Sequence, residues 1–278
     1  MVSKIVDVSG KVVVVTGASM GIGEAIAKIF ADRGSRVVLL SRDAGRAEAA
    51  RGRIGHTDRT LALSCDVRNR EEIDRVLSLT LHHFQRIDLW VNNAGHGLQD
   101  SVAHMDTAAC RDMFDTNFFG TVFATQAVIP VMKQQGSGTI VNVSSVAGHI
   151  PLPFHAAYSA TKFAMNAFGK AARVELKSDG IHVMTVCPGY VRTDFSANAI
   201  KGKELKTVRP SVARGISAQR VARAVFRGYL SRRGKSSCPG PCIQRSRCIN
   251  FFPDWWNGRW LRWRVKQRDY YVQTRRLS

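Results

Sequence analysis

The stretch Val12-Val13-Val14-Val15-Thr16-Gly17-Ala18-Ser19-Met20-Gly21-Ile22-Gly23 decides the fold. Four consecutive valines read as a strand buried on both faces, and the helical pattern Ala25 to Phe30 follows a turn built on Gly17, Gly21 and Gly23. Glycines at these positions let the backbone turn tightly and approach a pyrophosphate, which then rests on the amides and positive dipole end of the helix. Ser19, Met20 and Ile22 complete the lining of that turn. Three glycines alone say little. Their place between a strand and a helix is what makes them an anion cradle.

Working outward, a second strand at Arg36 to Leu40 follows at once, and strand-like runs recur at Thr60 to Ser64, Ile87 to Val91, Thr139 to Val143 and His182 to Val186. Each pair is separated by enough chain for a crossover helix, which means parallel strands with helices on both faces. The runs are nearly all apolar rather than alternating, as burial on both faces requires. The expected fold class is therefore α/β, a doubly wound parallel sheet of the Rossmann type. Residues 1–230 form one dinucleotide-binding and catalytic domain. From about Arg232 the regularity fails, and 231–278 reads as a basic, Trp-rich C-terminal extension.

Composition narrows the class further. The 278 residues carry a net charge of +20, yet 20 of the 41 basic and only 3 of the 21 acidic side chains fall after residue 200. A strand begins within a dozen residues of Met1, which leaves no room for a signal peptide, and no apolar run reaches the ~18 residues of a membrane span. Cys65, Cys110 and Cys187 stand singly in core segments, as thiols of a reducing compartment do, so the expected location is cytoplasmic. Cys238, Cys242 and Cys248 cluster near the C-terminus, but no histidine follows His182 and no fourth cysteine completes a tetrahedral set, so no metal site is expected.

Two further constellations carry chemistry. At the end of the second strand, Leu39-Leu40-Ser41-Arg42 presents no carboxylate at Ser41 to repel a ribose 2′-phosphate, and the Arg42 guanidinium can pair with one, which favours NADP(H). Asp43 follows directly and tempers that reading. Downstream, Tyr158 and Lys162 lie four apart in a run of helix formers and so share a face. A phenol with a pKa near ~10 exchanges protons poorly at neutral pH, whereas a neighbouring ammonium favours the phenolate and makes tyrosine a usable acid and base. Ser144 and Ser145 fall where the strand Thr139 to Val143 runs out, at the carboxyl edge where such sheets hold their ligands.

Taken together, Thr16-Gly17-x-x-x-Gly21-Ile22-Gly23, Asp66, Asn92-Asn93-Ala94-Gly95, Asn117, Ser145, Tyr158-x-x-x-Lys162 and Pro188-Gly189 followed by Thr193 resemble the short-chain dehydrogenase/reductase family, from about Gly10 to Tyr229. The resemblance implies that Tyr158 transfers the hydroxyl proton, that Ser145 rather than Ser144 holds the substrate oxygen, and that Asn117 orders a water that relays protons through Lys162. It implies further that Lys162 binds the nicotinamide ribose, Asp66 with Val67 beside it meets the adenine, Asn93, Ala94 and Gly95 pass under the adenosine ribose, and Pro188, Gly189, Val191 and Thr193 hold the nicotinamide carboxamide. Tyr158 also counts among the cofactor contacts, and Arg42 matches the NADP-preferring pattern. Dimers or tetramers are common in this family.

The segment from Val146 to His155 borders the reacting carbon because both of its ends touch it, and its apolar character favours a lipophilic ketone, aldehyde or alcohol. His149 and His155 stay outside the catalytic set. The chain from Tyr190 to about Ser211 is a candidate lid. In the extension, Trp255, Trp256, Trp260 and Trp263 interleave with Arg259, Arg262, Arg264, Lys266 and Arg268, a composition suited to an anionic membrane surface or to docking on the body or a second subunit. No nucleic-acid-binding module is recognisable. The expected function is an NADP(H)-dependent oxidoreductase acting on a small-molecule carbonyl or secondary alcohol. The alternative is a catalytically silent NADP(H)-binding sensor or scaffold that acts through its basic tail.

Overall fold

The computed structural model describes residues 7–202, 215–233 and 249–250. The valine run forms β1 (Val12–Thr16), buried along its whole length, with β2 (Arg36–Ser41) and β4 (Leu89–Asn92) beside it and β3 (Thr60–Ser64), β6 (Gly138–Val143) and β7 (Ile181–Cys187) beyond them. All pairings are parallel and the spatial order is β7-β6-β4-β1-β2-β3, so the order reverses between β1 and β4. At that reversal the flanking helices diverge to opposite faces and leave a crevice at the carboxyl edge.

Why the strands are apolar on every position is now visible. Val13, Val15, Val37 and Leu39 point into one core, where α1 (Gly21–Ala31) and α7 (Ala218–Arg233) pack, and Phe30 stacks edge-on against Phe226 and Tyr229 with centroids 5.2 and 5.6 Å apart. Val14, Val38, Leu40 and Trp90 point into the other core, under α3 (Arg70–Phe84), α5 (Gly120–Gln134) and α6 (Ala156–Glu175). The edge strand β3 is the exception, only half-buried at Leu61 and Leu63.

Polar residues set the remaining boundaries. Asp43 caps α2 (Ala44–Ile54) by accepting the Arg46 amide at 2.8 Å, Asn69 caps α3, and Asp106 caps α4 (Thr107–Phe114). Helix α4 runs without a break through a π-helical turn, Asp115–Phe119, into α5. The fourth strand begins at Leu89 rather than Ile87, because Asp88 turns its carboxylate to the Val12 amide, 3.0 Å away, and to Lys11 and Arg86.

Short strands tie the lid down: β5 (Leu98–Gln99) pairs with β9 (Ile200–Lys201), and β8 (Val191–Arg192) with β10 (Ile216–Ser217). The two residues of β11 (Ile249–Asn250) add a seventh strand alongside β7, a pairing that a sequence reading of 231–278 as an extension does not foresee. Cys65 and Cys187 are buried thiols, whereas Cys110 is only half-buried. The lid residues 203–214, Cys238, Cys242, Cys248 and the tryptophan tract of 251–278 lie outside the described residues. Among the described residues no helix is long and apolar enough to cross a membrane.

Candidate active site

The glycine turn is shaped for a ligand that comes close to the backbone. Gly17 and Gly21 adopt φ of +61° and +60°, the left-handed region that disfavours other residues. A Cβ on Gly23 would stand 2.3 Å from the Gly17 carbonyl oxygen, and one on Gly17 2.8 Å from Ala94 Cα. Met20 provides no side-chain cap to α1, so the first amides of that helix are left for another acceptor. Asn93 braces the turn from beneath, its Nδ2 donating to the Thr16 and Gly17 carbonyls at 2.9 and 3.0 Å, while Thr16 Oγ1 accepts the Asn93 and Ala94 amides. Thr193 closes the other side, its Cγ2 3.3 Å from where a Gly21 Cβ would be, and so brings the Pro188–Gly189–Val191 loop to the same crevice. A dinucleotide pyrophosphate fits such a cradle.

At the far end of the crevice Ser41 is buried and Arg42 exposed. Asp43, which follows Arg42 and tempers the NADP(H) reading, accepts the Arg46 amide and caps α2. Arg68 grips Asp66 through its Nε at 3.0 Å and, against the upward push of burial, holds that carboxyl below its ordinary value, with Arg42 adding to the effect. Val67 is buried beside it, against the Gly120 backbone.

Tyr158, Lys162 and Ser145 come together from α6 and the end of β6. Tyr158 and Lys162 do share a face of α6, with Lys162 Nζ 5.7 Å from the Tyr158 ring centroid and donating to the Val143 carbonyl at 3.1 Å. Ser145, just past the end of β6, lies near enough to the Tyr158 hydroxyl to oppose the rise of its pKa, and its own Oγ accepts the Ala147 amide at 3.1 Å. Ser144 is turned inward, buried, toward the Lys162 carbonyl. Burial pushes the Tyr158 phenol up to about 12, with Ser145 opposing, and pulls the Lys162 ammonium down to about 8.

Asn117 sits fully buried in the π-helical turn, a distortion that often marks functional sites. Its Oδ1 accepts the His96 amide and its Nδ2 donates to the His96 carbonyl, both at 2.9 Å. Leu98, Met105, Ala109, Cys110 and Met113 form an apolar cluster with Tyr158. From the lid, the Phe195 ring lies 5.6 Å from that of Tyr158. His149 contacts Asn166 at 3.4 Å, and the His155 ring lies 3.1 Å from the Pro153 carbonyl, so neither joins the tyrosine. The sequence reading assigns no role to Arg68, His96 or Asp112, because the contacts of Asp112 with Arg68 and His96 join residues far apart in the chain.

A glycine-lined crevice at the strand-order reversal, with a tyrosine, lysine and serine converging beside it, defines the class of nicotinamide-linked α/β oxidoreductases. Residues 11–204 match the short chain dehydrogenase family, and the chain belongs to it. It is 36% identical over 203 residues to dehydrogenase/reductase SDR family member 7B of Danio rerio, a match covering 70% of this chain and 66% of that relative. It is 34% identical over 228 residues to a dehydrogenase/reductase SDR family protein 7-like of Drosophila melanogaster, covering 80% and 70%. Among solved structures it resembles a 3-ketoacyl-(acyl-carrier-protein) reductase of Brucella melitensis complexed with NADH, at TM-score 0.72 and 29% identity over 79% of this chain and 90% of that one. A short chain dehydrogenase/reductase of Burkholderia phymatum in complex with NAD gives TM-score 0.74 at 25% identity, over 82% and 88%.

Proposed function

We propose that this chain is an NADP(H)-dependent oxidoreductase that interconverts a lipophilic ketone or aldehyde and its alcohol. The observation that carries the reading is Tyr158 on one face of α6 with Lys162, whose Nζ lies 5.7 Å from the phenol ring centroid, and with Ser145 beside it. The nicotinamide, when bound, supplies or accepts the hydride. The protein's part is orientation and proton management. Ser145 and Tyr158 hydroxyls converge on one point where a substrate oxygen is held, and Tyr158 gives that oxygen its proton in the reductive direction. Burial pushes the phenol up to about 12, the opposite direction from the lowering by Lys162 that the sequence leads one to expect, so the hydroxyl carries its proton at neutral pH. None of Asn117, Ser145, Tyr158 and Lys162 is replaced in the sequence, which favours an enzyme over a silent sensor.

The preference for NADP(H) rests on Arg42, exposed at the end of β2 and free of competition from Asp43. The apolar cluster at Tyr158 and the Phe195 ring support a lipophilic substrate. A fluorescence titration with NADPH and NADH, followed by a panel of lipophilic ketones and aldehydes, tests the reading. Tighter NADPH binding with ketone-dependent oxidation supports it, whereas binding without turnover on any carbonyl moves it to the sensor. Arg42→Ala should weaken NADPH about tenfold and leave NADH unchanged. We further place the protein in the cytoplasm as a dimer or tetramer, with 251–278 touching anionic membranes. Co-sedimentation with anionic vesicles that survives removal of 251–278 refutes that contact.

A further inference from the structure

The crevice has two working ends, the adenine end at Asp66 and the proton-transfer end at Asn117, and a chain of side chains outside the family pattern joins them. Arg68 holds the Asp66 carboxylate with its Nε and Nη2 and reaches with its Nη1 to Asp112 on α4. The second oxygen of Asp112 stands 3.1 Å from His96 Nε2. That ring nitrogen is buried and makes no well-angled hydrogen bond, so the Asp112 carboxylate is what faces it. The His96 backbone in turn forms two of the three side-chain hydrogen bonds of Asn117, the third running from its Nδ2 to Thr161 Oγ1 at 3.3 Å. Asp112 and Asn117 also lie on one continuous helical run, five residues apart across the junction of α4 with the π-helical turn.

We propose that Asp112 is a positioning residue that, through Arg68, fixes Asp66 for the cofactor's adenine and, through His96, fixes Asn117 for proton transfer. The inference rests on the nicotinamide-oxidoreductase reading. A carboxylate with two oxygens can serve two partners, and here one serves each end. Arg68 is the natural first link because its planar fork binds two carboxylates at once. His96 is the natural second link because its main chain, rather than its ring, carries Asn117, so a pull on the ring moves the peptide that holds the amide. Neither link touches substrate.

Three substitutions separate the two arms. Arg68→Met cuts the adenine arm alone and should raise the NADPH dissociation constant about tenfold with kcat kept. His96→Phe cuts the other arm and should lower kcat about tenfold at saturating NADPH with the dissociation constant kept. Asp112→Ala should do both, and Asp112→Glu, which keeps a carboxylate, should recover part of each. Tenfold corresponds to about 1.4 kcal/mol, the size of one hydrogen bond to a charged group. The dissociation constants are read by NADPH fluorescence, and Asn117 is followed independently by hydrogen exchange of the His96 amide, which should quicken in Asp112→Ala and His96→Phe but not in Arg68→Met. Equal losses of affinity and rate in all three variants, or unchanged exchange at His96 in Asp112→Ala, overturn the bridge. Wild-type protein that fails to bind NADPH or NADH instead overturns the oxidoreductase reading and is seen before any variant is made.

Discussion

Replacing Lys162 by methionine should make the protein more stable while removing its activity. Lys162 is 4% exposed, and burial lowers its pKa from 10.5 to about 8. At about 1.4 kcal/mol per pKa unit, holding the ammonium in place at neutral pH costs the fold about 3 kcal/mol. Methionine of similar length removes that cost but loses the hydrogen bond from Nζ to the Val143 carbonyl, 3.1 Å long, worth about 1 kcal/mol. The balance is a gain of about 2 kcal/mol at pH 7, or a few degrees in Tm for a domain of this size. The sign with pH follows from the lowered value. Between about pH 8 and 10.5 the unfolded lysine keeps its proton and the folded one sheds it, so the wild type gains stability across that window and the advantage of Lys162→Met shrinks. Thermal or urea unfolding of both proteins from pH 6.5 to 10.5 measures this. A variant less stable at pH 7, or an advantage that does not decline toward pH 10, refutes the argument that the catalytic lysine is held at the expense of stability.

Other outcomes follow from the same geometry. Tyr158→Phe should cut turnover by about 10²–10⁴-fold, the usual contribution of a positioned acid, and leave the NADPH dissociation constant within about twofold, as steady-state kinetics and fluorescence will show. Gly23→Ala drives a methyl to 2.3 Å from the Gly17 carbonyl, so NADPH binding should fall at least about tenfold in the same titration. Burial pushes the Asp88 carboxyl up, but Arg86, the Val12 amide and Lys11 together hold it below the ordinary carboxylate value. Its contribution is therefore complete above about pH 4 and lost as pH falls beneath it, and Asp88→Ala should destabilise by about 2 kcal/mol at pH 7 while blunting the acid transition seen in circular dichroism. Phe195→Ala should raise KM for bulky lipophilic ketones more than for small ones, since the ring lies 5.6 Å from that of Tyr158.

Local pattern was enough for the architecture because each of its signals is carried by neighbours in the chain. Six apolar runs became the six long parallel strands, the glycine turn needed left-handed residues at 17 and 21, and Tyr158 and Lys162 met because four residues make about one helical turn. The choice of Ser145 over Ser144 came by resemblance and has a physical basis in the pleat: one serine faces Tyr158, the next faces inward.

What the chain's own order could not reveal is every contact whose partners are distant in sequence. Asp43 reads only as a neighbour that tempers the case for Arg42, and its role as the cap of α2 appears when its Oδ1 accepts the Arg46 amide. Asn93, expected at the cofactor, also braces the Thr16 and Gly17 carbonyls with its side-chain amide, a contact that exists only once β1 and β4 come together. Arg68, Asp112 and His96 form a line only when β3, α4 and the end of β4 meet at the carboxyl edge, and the pKa values of Tyr158 and Lys162 depend on burial that no spacing encodes. Sequence determines periodicity, and with it the strands, helices and turn; desolvation and long-range pairing, which set the chemistry of the site, exist only once the sheet has closed the distance between residues scores of positions apart.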